Sequence, residues 1–539
     1  FPTRRSSDLT PCRGRYHLRV PIPSAILTKI LATVGPSCET PQAVAGLIDE
    51  GARVFRINFS HGSFDEHAAR LEAVRRAAVD RGVAVAVLGD LRGPKLRLGA
   101  MDDGPIDVAE GDRVEFTRLD RPGRRAADTG VTVLSVTYPP FADEVEPGHR
   151  VLIDDGAIRM LAVEKPHAPG EGTRVVCRVT HGGTLKANKG VNLPDSTLST
   201  PSLTDFDLEC VAWALEHDLD YLALSFVREA ADVRLLRQRL DEFKADRQRR
   251  TGEHALDVPI VAKLETPQSI NDLDAILDAS DAVMVARGDL GVEMDLAEVP
   301  VIQKRIIETA HHHGKPVIVA TQMLQSMITE SSPTRAEVSD VANAILDGAD
   351  AVMLSGETAV GDHASAAVHV MAHTAEVTEA YAADGRRAST RPPRYLRESR
   401  YRTAALAHGV SVIANDLHAR YVVMWSELGG GARYLSQNRL HMPILAVSSN
   451  ARALRRMALY FGVVPIHMDR PDSPSDFIDA IDALLRDREW ARPGDPIVVV
   501  KGDPLGVPGV TNQIQIHHVG DVVRVPEPSE DAGATGPVA

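Results

Sequence analysis

The sequence predicts an α/β protein built on a closed (β/α)8 TIM barrel, with an inserted small β-barrel lid domain and a C-terminal α/β open-sheet domain. Three observations predict this fold class. An apolar, strand-like run followed by a polar helical stretch recurs eight times, short alternating runs interrupt the series after its third unit, and new strand–helix alternation follows its end. A chain of 539 residues, 44% of them hydrophobic, suits about three such domains.

The eight apolar runs predict the strands of the barrel. Each run is nearly continuous in aliphatic residues, as expected of a parallel strand buried on both faces. Most are followed by ten or more residues with helical spacing, and eight such units in series favour a barrel domain made of residues 24–98 and 198–380. The runs are residues 25–35, 53–60, 83–91, 220–227, 258–265, 281–290, 315–324 and 350–358.

The segment from residue 99 to 197 differs from the units that flank it. It is rich in Gly, Pro, Asp and Val, and its short alternating runs favour a small all-β domain. Because insertions in such barrels belong on the face that carries the active site, we expect this domain to act as a lid.

Further strand-like runs alternate with helical spacing after the barrel. They predict a separate open-sheet domain of a regulatory type over residues 395–526. We expect residues 1–23 to be a disordered leader, because they are Arg- and Ser-rich and lack the apolar core of a signal peptide. Residues 527–539 are polar and contain Gly and Pro, so we expect a disordered tail.

The composition argues against several functional classes. A net charge of −14 disfavours nucleic acid as the main partner, because phosphate backbones recruit Lys and Arg. No apolar run approaches the roughly 18 residues that a membrane span needs, so we expect no membrane partner. The four cysteines are scattered without a CxxC pair, which suits a reducing cytoplasm and disfavours a zinc site or a disulfide framework.

Polar side chains follow the apolar runs at their carboxyl ends, where barrel enzymes carry their active sites. Arg56, Asn58 and Ser60 alternate along the second run and therefore share one side of the strand. An interior Arg is costly to bury without an anion, so we expect an anion there, against the alternative of polar packing inside the barrel. Thr321 ends the seventh run and offers a hydroxyl for hydrogen bonding or proton relay, although a Thr at a strand end is often only structural.

The third run ends in a cluster of charges. Asp90 is followed within seven residues by Arg92, Lys95 and Arg97, at the point where the insert begins. One carboxylate among three cations suits an anionic phosphate, and the alternative is a solvated charged loop.

The fifth and sixth runs end in two carboxylates. Glu265 follows Lys263 by two residues, and Asp289 follows Arg287 and Gly288. Two acids from adjacent strands can share one hard divalent ion such as Mg²⁺, and an ammonium beside them suits phosphoryl transfer, which needs positive charge around the transferred group. The alternative is a structural salt bridge between Lys263 and an acid.

Eight stretches together resemble the pyruvate kinase family. One of them alone would only be suggestive, but all of them in this order, between about residues 25 and 525, are highly specific. They are TKILATVGPS (28–37), FRINFSHGS (55–63), KGVNLPD (189–195), LSFVR (224–228), AKLETPQSI (262–270), MVARGDLGVE (284–293), KPVIVATQMLQSM (315–327) and the run from 333 to 361. The resemblance implies phosphoryl transfer from phosphoenolpyruvate to ADP, giving pyruvate and ATP in the last step of glycolysis.

The resemblance also implies roles for individual residues. Catalytic positions match Lys263, Thr321 and Arg56; substrate-binding positions match Arg56, Lys263, Arg287, Gly288, Asp289 and Thr321. Glu265 and Asp289 match ligands of Mg²⁺ or Mn²⁺, and a second divalent ion would travel with the nucleotide. Nucleotide-contacting positions match Asn58, Phe59, Ser60, His61, Arg97 and Lys189. The family further implies a homotetramer, for which the helix face around residues 335–343 is a candidate contact.

Two departures from the family pattern change what is expected. Many members hold K⁺ at positions matching Asn58, Ser60, Asp90 and Leu91, next to a loop carboxylate that is replaced here by Lys95. Our hypothesis is that Lys95 supplies this positive charge internally, so K⁺ is not required.

The second departure lies in the C-terminal domain. The loop that binds a sugar bisphosphate in many relatives has lost most of its hydroxyls over residues 426–433, and Glu427 would repel phosphate. Activation by fructose bisphosphate is therefore not expected, while AMP or a sugar monophosphate stays open because the glycines could form a backbone anion nest.

Two alternative functions share part of this pattern. A Mg²⁺-dependent barrel lyase or aldolase acting on pyruvate or phosphoenolpyruvate would need the two carboxylates but neither Arg97 nor a lid carrying Lys189. A silent binding or regulatory homologue is disfavoured, because four residues occur together: Lys263, Glu265, Asp289 and Thr321.

Overall fold

The computed structural model describes residues 26–521 apart from residue 103 and the segments 119–120, 127–129, 169–171, 253–256 and 384–401. The expected leader and tail lie outside the described residues. The strands are β1 (Lys29–Thr33), β2 (Ala52–Asn58), β3 (Ala86–Asp90), β4 (Ile106–Val108), β5 (Arg113–Thr117), β6 (Arg124–Arg125), β7 (Thr132–Ser135), β8 (Arg150–Ile153), β9 (Ile158–Glu164), β10 (His167–Ala168), β11 (Gly172–His181), β12 (Gly183–Leu185), β13 (Val191–Asn192), β14 (Tyr221–Val227), β15 (Ile260–Leu264), β16 (Ala282–Ala286), β17 (Val317–Ala320), β18 (Ala351–Leu354), β19 (Tyr421–Trp425), β20 (Ile444–Ser448), β21 (Val463–His467), β22 (Pro496–Lys501) and β23 (Gln513–His518).

Helices alternate with the barrel strands and with those of the C-terminal domain. A short 3-10 helix, Gln325–Ile328, follows β17. The α-helices are α1 (Pro41–Asp49), α2 (Phe64–Arg81), α3 (Phe141–Glu144), α4 (Asp205–Glu216), α5 (Ala230–Thr251), α6 (Pro267–Asn271), α7 (Leu273–Ala279), α8 (Arg287–Glu293), α9 (Val299–His312), α10 (Arg335–Asp347), α11 (Gly356–Ala359), α12 (Ala364–Ala383), α13 (Arg402–Asp416), α14 (Gly430–Ser436), α15 (Ala451–Met457) and α16 (Pro474–Asp487).

Eight parallel strands close into the barrel in the order β1-β18-β17-β16-β15-β14-β3-β2, which confirms the predicted (β/α)8 fold. The strands are buried because helices cover their outer face and side chains from all around the barrel fill its interior. Several strands are shorter than the apolar runs suggested. The sixth run, for example, leaves the sheet after Ala286, and its last residues start α8, because the chain must turn there to cross back to the next strand.

The lid lies between β3 and α4. Its larger sheet has the order β13-β8-β9-β11-β5-β7-β6 with β10 paired to β11, and β12 pairs with β4 in a two-stranded ribbon. The lid has an apolar cluster of its own, centred on residues such as Phe116 and Phe141, whose rings lie 4.9 Å apart. It therefore packs as a unit distinct from the barrel.

The C-terminal domain is an open five-stranded sheet in the order β21-β20-β19-β22-β23. The first four strands are parallel, and the weak last run forms β23, which is antiparallel to β22. This domain closes the bottom of the barrel, because Ala458 and Leu459 join the apolar cluster inside the barrel. The three cysteines among the described residues, Cys38, Cys177 and Cys210, are buried and free.

No helix in the described part of the chain combines the length and apolarity that a membrane crossing requires.

Candidate active site

Lys263 lies at the centre of a charged cluster at the carboxyl ends of the strands. Its Nζ is 2.8 Å from Glu265 Oε1 and 3.4 Å from Asp90 Oδ1. The ammonium also donates a 2.8 Å hydrogen bond to Ser225 Oγ. Burial by itself disfavours the charged amine, but the charges of Asp90 and Glu265 outweigh it and raise the pKa of Lys263 above its ordinary value. The side chain is therefore a fixed cation.

Arg56 and Asp90 form the second part of the cluster. Arg56 Nε donates to Asp90 Oδ2 at 2.7 Å, and Arg56 Nη1 donates to Thr33 Oγ1 at 3.3 Å. Asp90 is only 1% exposed. Burial raises its pKa, but the charges of Lys263 and Arg56 outweigh this and hold the pKa of Asp90 below its usual range. The sequence predicted that Arg56 lies beside an anion. In the structure the Asp90 carboxylate pairs with Arg56 and orients its guanidinium.

Glu265 is buried with one of its oxygens incompletely satisfied. Its Oε2 accepts a 2.7 Å hydrogen bond from the Phe226 N–H. Its Oε1 faces the Lys263 ammonium but has no hydrogen bond of good geometry among the described residues. Burial and the charge of Asp289 raise the pKa of Glu265 to about 7, against the opposing effect of Lys263. The three predicted residues Lys263, Glu265 and Asp289 are therefore brought together.

The donor set fits a divalent ion. Glu265 and the half-buried Asp289, on the first turn of α8, are hard oxygen ligands from neighbouring strand ends. Glu265 Oε1 is ion-paired with Lys263 but lacks a hydrogen bond of good geometry, so it can still coordinate a cation. Among the described residues, no three His, Cys, Asp or Glu side chains gather as a protein-only metal site. Two carboxylates with the remaining positions left to substrate and water oxygens is the arrangement that Mg²⁺ commonly uses.

Thr321 stands at the end of β17 in a strained backbone conformation. Its φ is 69°, and that of Gln322 is 56°, in the left-handed region that β-branched residues rarely adopt. Thr321 Oγ1 accepts a 2.7 Å hydrogen bond from the Gly288 N–H and lies 2.6 Å from the Ala320 carbonyl oxygen, to which it donates. A Cβ on Gly288 would lie 3.3 Å from Thr321 Oγ1, so the lack of a side chain at Gly288 allows its N–H to approach the Thr321 hydroxyl closely.

Arg287 turns away from the charged cluster. Its Nη1 donates to Asp340 Oδ1 at 2.7 Å, and its Nη2 donates to the Thr321 carbonyl at 2.8 Å. The side chain thus ties α8 to α10 and to the end of β17. What it can offer to a substrate is its backbone, at the start of α8, together with the backbone of Gly288 and Asp289.

The lid and the segment that leads into it carry two further cations, Lys189 and Arg97. Lys189 Nζ lies 2.8 Å from Asp154 Oδ1 within the lid. Arg97 forms an isolated backbone bridge with Gly190, and its Nη1 donates to the Asn188 carbonyl at 2.7 Å. Arg97 and Lys189, two of the six predicted nucleotide contacts, therefore lie on adjacent backbone segments.

The loop after β2 carries the other predicted nucleotide residues. Asn58 Oδ1 accepts a 3.1 Å hydrogen bond from the Ser60 N–H, which folds the loop into a tight turn. Ser60 and His61 are exposed, whereas Phe59 is buried and donates its N–H to the Asp90 carbonyl at 3.1 Å. The Phe59 side chain therefore packs in the core, and only its backbone is available to a ligand.

Leu91 and Lys95 lie in different environments. Leu91 is buried, and its carbonyl accepts a 2.7 Å hydrogen bond from Ser225 Oγ. Lys95 is exposed and lines a cleft between lid and barrel, where a Cβ on Gly190 would lie 3.7 Å from the Lys95 Cε. Asp90, which matches a monovalent-cation position of the family, is paired here with Arg56 and Lys263.

Sequence reasoning missed four residues of the site. Ser225 joins Lys263 to the Leu91 carbonyl, and the Phe226 N–H holds Glu265, because β14 is irregular between Leu224 and Val227. A polar Ser inside the otherwise apolar fourth run was the available signal. The others are Asn192 and Glu293, which form a 2.7 Å hydrogen bond across the cleft. Both lie within stretches that carry the family resemblance, but nothing in the sequence indicated that they meet.

Two family models match the chain. "Pyruvate kinase, barrel domain" matches residues 26–368, and "Pyruvate kinase, alpha/beta domain" matches residues 404–517. The chain is 40% identical to the pyruvate kinase of Corynebacterium glutamicum over 499 residues, covering 92% of this chain and 98% of the relative. It is also 40% identical to the pyruvate kinase of Mycobacterium tuberculosis over 493 residues, with the same coverage.

A solved structure shares the fold. The crystal structure of a pyruvate kinase from Cryptosporidium parvum matches with a TM-score of 0.80 and 31% identity, covering 92% of this chain and 97% of that one. The closed barrel, its cluster of cations and carboxylates at the strand ends and its lid define a metal-dependent TIM-barrel enzyme for an anionic substrate. With the matches to both domains, the chain belongs to the pyruvate kinase family.

Proposed function

We propose that this protein transfers the phosphoryl group of phosphoenolpyruvate to ADP, giving pyruvate and ATP in the last step of glycolysis. The observation that carries this proposal is the buried Lys263 ammonium, which lies 2.8 Å from Glu265 and within reach of the Arg56–Asp90 pair. Phosphoryl transfer asks little covalent chemistry of the protein and depends on fixed positive charge around the transferred group. This cluster provides such charge without reorganisation.

In this proposal, Arg56 and Lys263 bind the phosphoryl oxygens. Lys263 stays protonated because its pKa is raised, so it stabilises the developing negative charge and does not act as an acid. Glu265 and Asp289 would hold Mg²⁺ or Mn²⁺, which when bound supplies Lewis-acid charge at the substrate oxygens. The backbone at residues 287–289 receives the substrate carboxylate.

Thr321 is proposed to act where the enolate carbon is protonated to give pyruvate. Its hydroxyl is held by the Gly288 N–H and the Ala320 carbonyl. A hydroxyl with both partners fixed is pre-oriented, and the strained backbone at Thr321 is of the kind found at functional sites. In our proposal the hydroxyl belongs to the relay that brings the proton to carbon.

The nucleotide is proposed to bind between the barrel and the lid. In this proposal the exposed Ser60 and His61 contact the nucleotide from the barrel, and the neighbouring Arg97 and Lys189 provide positive charge from the lid. The proposed nucleotide contacts are Asn58, Phe59, Ser60, His61, Arg97 and Lys189.

The test is turnover by the purified full chain with phosphoenolpyruvate, ADP and Mg²⁺, followed through pyruvate and ATP together. We expect equal amounts of both products and none without ADP. Pyruvate formed without ADP would indicate lyase or phosphatase chemistry and contradict the proposal.

We also propose that K⁺ is not required. Lys95 supports this, because its ammonium lines the cleft and adds positive charge at a position where many family members carry a carboxylate. Turnover in KCl should equal turnover in tetramethylammonium chloride at the same ionic strength. Lys95→Glu should become dependent on K⁺, and several-fold activation of the unmodified enzyme by K⁺ would refute the idea.

A homotetramer working in the cytoplasm is the proposed state of the enzyme. Its support is the exposed face of α10 over residues 335–343, which is joined to the active site through Arg287 and Asp340, and the exposed edge strand β23, where Ile516 is 48% exposed. Light scattering should give four times the chain mass. A monomer at micromolar concentration would contradict it.

We propose that fructose bisphosphate is not an activator. The Glu427 carboxylate occupies the effector loop, accepting hydrogen bonds from Trp425 Nε1 at 3.1 Å and Ser449 Oγ at 3.0 Å. These donors are therefore engaged by an internal anion. Titration of activity with fructose bisphosphate, AMP and glucose 6-phosphate tests this proposal, and activation by the bisphosphate would contradict it.

A further inference from the structure

The lid touches the barrel at the last turn of α8. Asn192, in β13 of the lid, donates from its side-chain amide to Glu293 Oε1 at 2.7 Å, across 101 residues of sequence. The lid turn at Gly156 lies against the same turn, since a Cβ there would be 3.7 Å from Val292 Cγ1. Both Asn192 and Glu293 line the cleft between lid and barrel. The lid therefore meets the helix that carries Asp289.

Glu293 is placed to respond to the lid. It is one helical turn after Asp289, so the two side chains share a face of α8. Glu293 is 8% exposed, and burial raises its pKa to about 7, partly opposed by the Asn192 hydrogen bond and the charge of Arg150. If the lid stayed in place without the Asn192 amide, the buried Glu293 carboxylate would lack a hydrogen-bond donor. If the lid moved away from α8, water would replace that donor. The bond is therefore favourable specifically in the closed arrangement.

Asn192 is placed to act on nucleotide contacts. It lies three residues after Lys189, in the segment whose Gly190 forms the backbone bridge with Arg97. The Asp154 that holds Lys189 belongs to the same turn as Gly156. One rigid piece of the lid thus carries both the proposed nucleotide cations and the contact to α8.

We propose that the Asn192–Glu293 hydrogen bond is a latch that holds the lid on α8, and that both are positioning residues for nucleotide use. This inference rests on the proposed function. The helix itself is anchored independently, because Leu290 is fully buried in the barrel core. Breaking the latch should therefore loosen the lid and its nucleotide contacts while the phosphoenolpyruvate site on the barrel stays formed.

The experiment is a double-mutant cycle with Asn192→Leu, Glu293→Leu and the double variant. Each single variant should raise KM for ADP about tenfold, the size expected for one hydrogen bond to a charged group, and change KM for phosphoenolpyruvate less than twofold. The double variant should resemble the single variants, because the second substitution removes nothing more. Glu293→Gln retains an acceptor oxygen, so its KM for ADP should stay within threefold of the value for the parent.

Gln303→Leu is the matched control. Gln303 makes the same kind of bond, from its amide to Asp347 Oδ2 at 3.0 Å, between helices α9 and α10. It should leave both KM values unchanged. The latch is overturned if the single effects multiply, if Glu293→Gln is as impaired as Glu293→Leu, or if the control raises KM for ADP equally. If Glu293→Leu does not fold, Asn192→Leu and Glu293→Gln still decide. An unmodified chain that makes no ATP would instead reject the proposed function.

Discussion

At the scale of single residues, the active site is organised by buried ion pairs. Lys263 is buried among Asp90, Glu265 and Ser225, and each partner compensates for the removal of the ammonium from water. The arrangement keeps a carboxylate oxygen of Glu265 without a hydrogen bond of good geometry among the described residues.

Lys263→Met should separate the catalytic and structural roles of this cluster. We expect kcat to fall by about 10²–10³-fold, because a pre-oriented charge is lost from the transition state. The free energy of unfolding should fall by about 3–5 kcal/mol, since Glu265 becomes an unpaired buried acid. Steady-state kinetics and urea denaturation measure the two effects. The control is Lys304→Met, whose 56%-exposed side chain pairs with Asp347, and an equal loss of kcat there would contradict the assignment.

His67 is a second residue whose environment predicts a measurable effect. It is 1% exposed, its ring meets Phe59 edge to face at 5.1 Å, and neither ring nitrogen has a hydrogen-bond partner among the described residues. Burial, aided by Arg70, lowers the pKa of His67 to about 4. The folded state therefore binds fewer protons than the unfolded state between about pH 4 and 6.5.

Because the unfolded state takes up the proton, stability should fall as the pH drops through this window. Between pH 8 and pH 5, the parent should lose about 2 kcal/mol more of its free energy of unfolding than His67→Phe does. Urea denaturation at the two pH values measures this difference. The variant of exposed His369, His369→Phe, controls for the loss of an imidazole, and identical pH dependence of parent and His67→Phe would contradict the prediction.

At the scale of elements, a short helix of the C-terminal domain docks on the bottom of the barrel. Asn450 caps the amino end of helix α15, and its side chain accepts from the backbone N–H groups of Arg452 and Ala453. Arg455, on this helix, donates to Asp220 Oδ1 at 2.8 Å. Asp220 is 0% exposed and also accepts from Arg75 at 2.9 Å. One buried carboxylate thus joins the C-terminal domain to the start of β14.

Asp220→Ala should weaken this junction strongly. It leaves two arginines without their buried partner and removes the acceptor of the Val87 N–H, so we expect a loss of about 3–5 kcal/mol of unfolding free energy. Asp49→Ala removes an exposed pair with Arg81 and should cost less than about 1 kcal/mol. Chemical denaturation of both variants is the measurement. Equal effects would mean that the junction contributes little.

At the scale of the whole molecule, separate apolar cores allow the domains to respond separately. The lid core contains Phe116, the barrel core contains Trp213, and the C-terminal domain has cores on both faces of its sheet. The lid cluster and the barrel cluster share no residue. The lid should therefore unfold locally without the barrel.

Phe116→Ala tests this independence. Removal of the fully buried Phe116 ring should lower the free energy of unfolding of the lid by about 3–5 kcal/mol. Activity should therefore disappear at a lower urea concentration than in the parent. The fluorescence transition of Trp213, read in a variant with Trp425→Phe and Trp490→Phe, should keep its midpoint. Phe55→Ala, in the barrel core, should shift that midpoint instead. A shift of the Trp213 transition by Phe116→Ala would show that lid and barrel unfold together.

The sequence alone determined the barrel and the chemistry of its strand ends. The eight apolar runs predicted parallel strands buried on both faces, and eight such strand–helix units in series favoured a closed barrel. Parallel strands end at one edge, so Lys263, Glu265 and Asp289 could be expected to meet. Their two-residue spacing placed Lys263 and Glu265 on one side, and the structure has them 2.8 Å apart.

Only the tertiary structure decided the contacts between distant segments. Ser225 reaches Lys263 because β14 is irregular, α15 docks through Asp220, and Asn192 meets Glu293 across the cleft. Strand ends were also misjudged, since apolar runs continue into turns and helices such as α8. The physical reason is that apolar periodicity reports local burial, whereas these contacts depend on how separate domains pack, which no local pattern in the chain encodes.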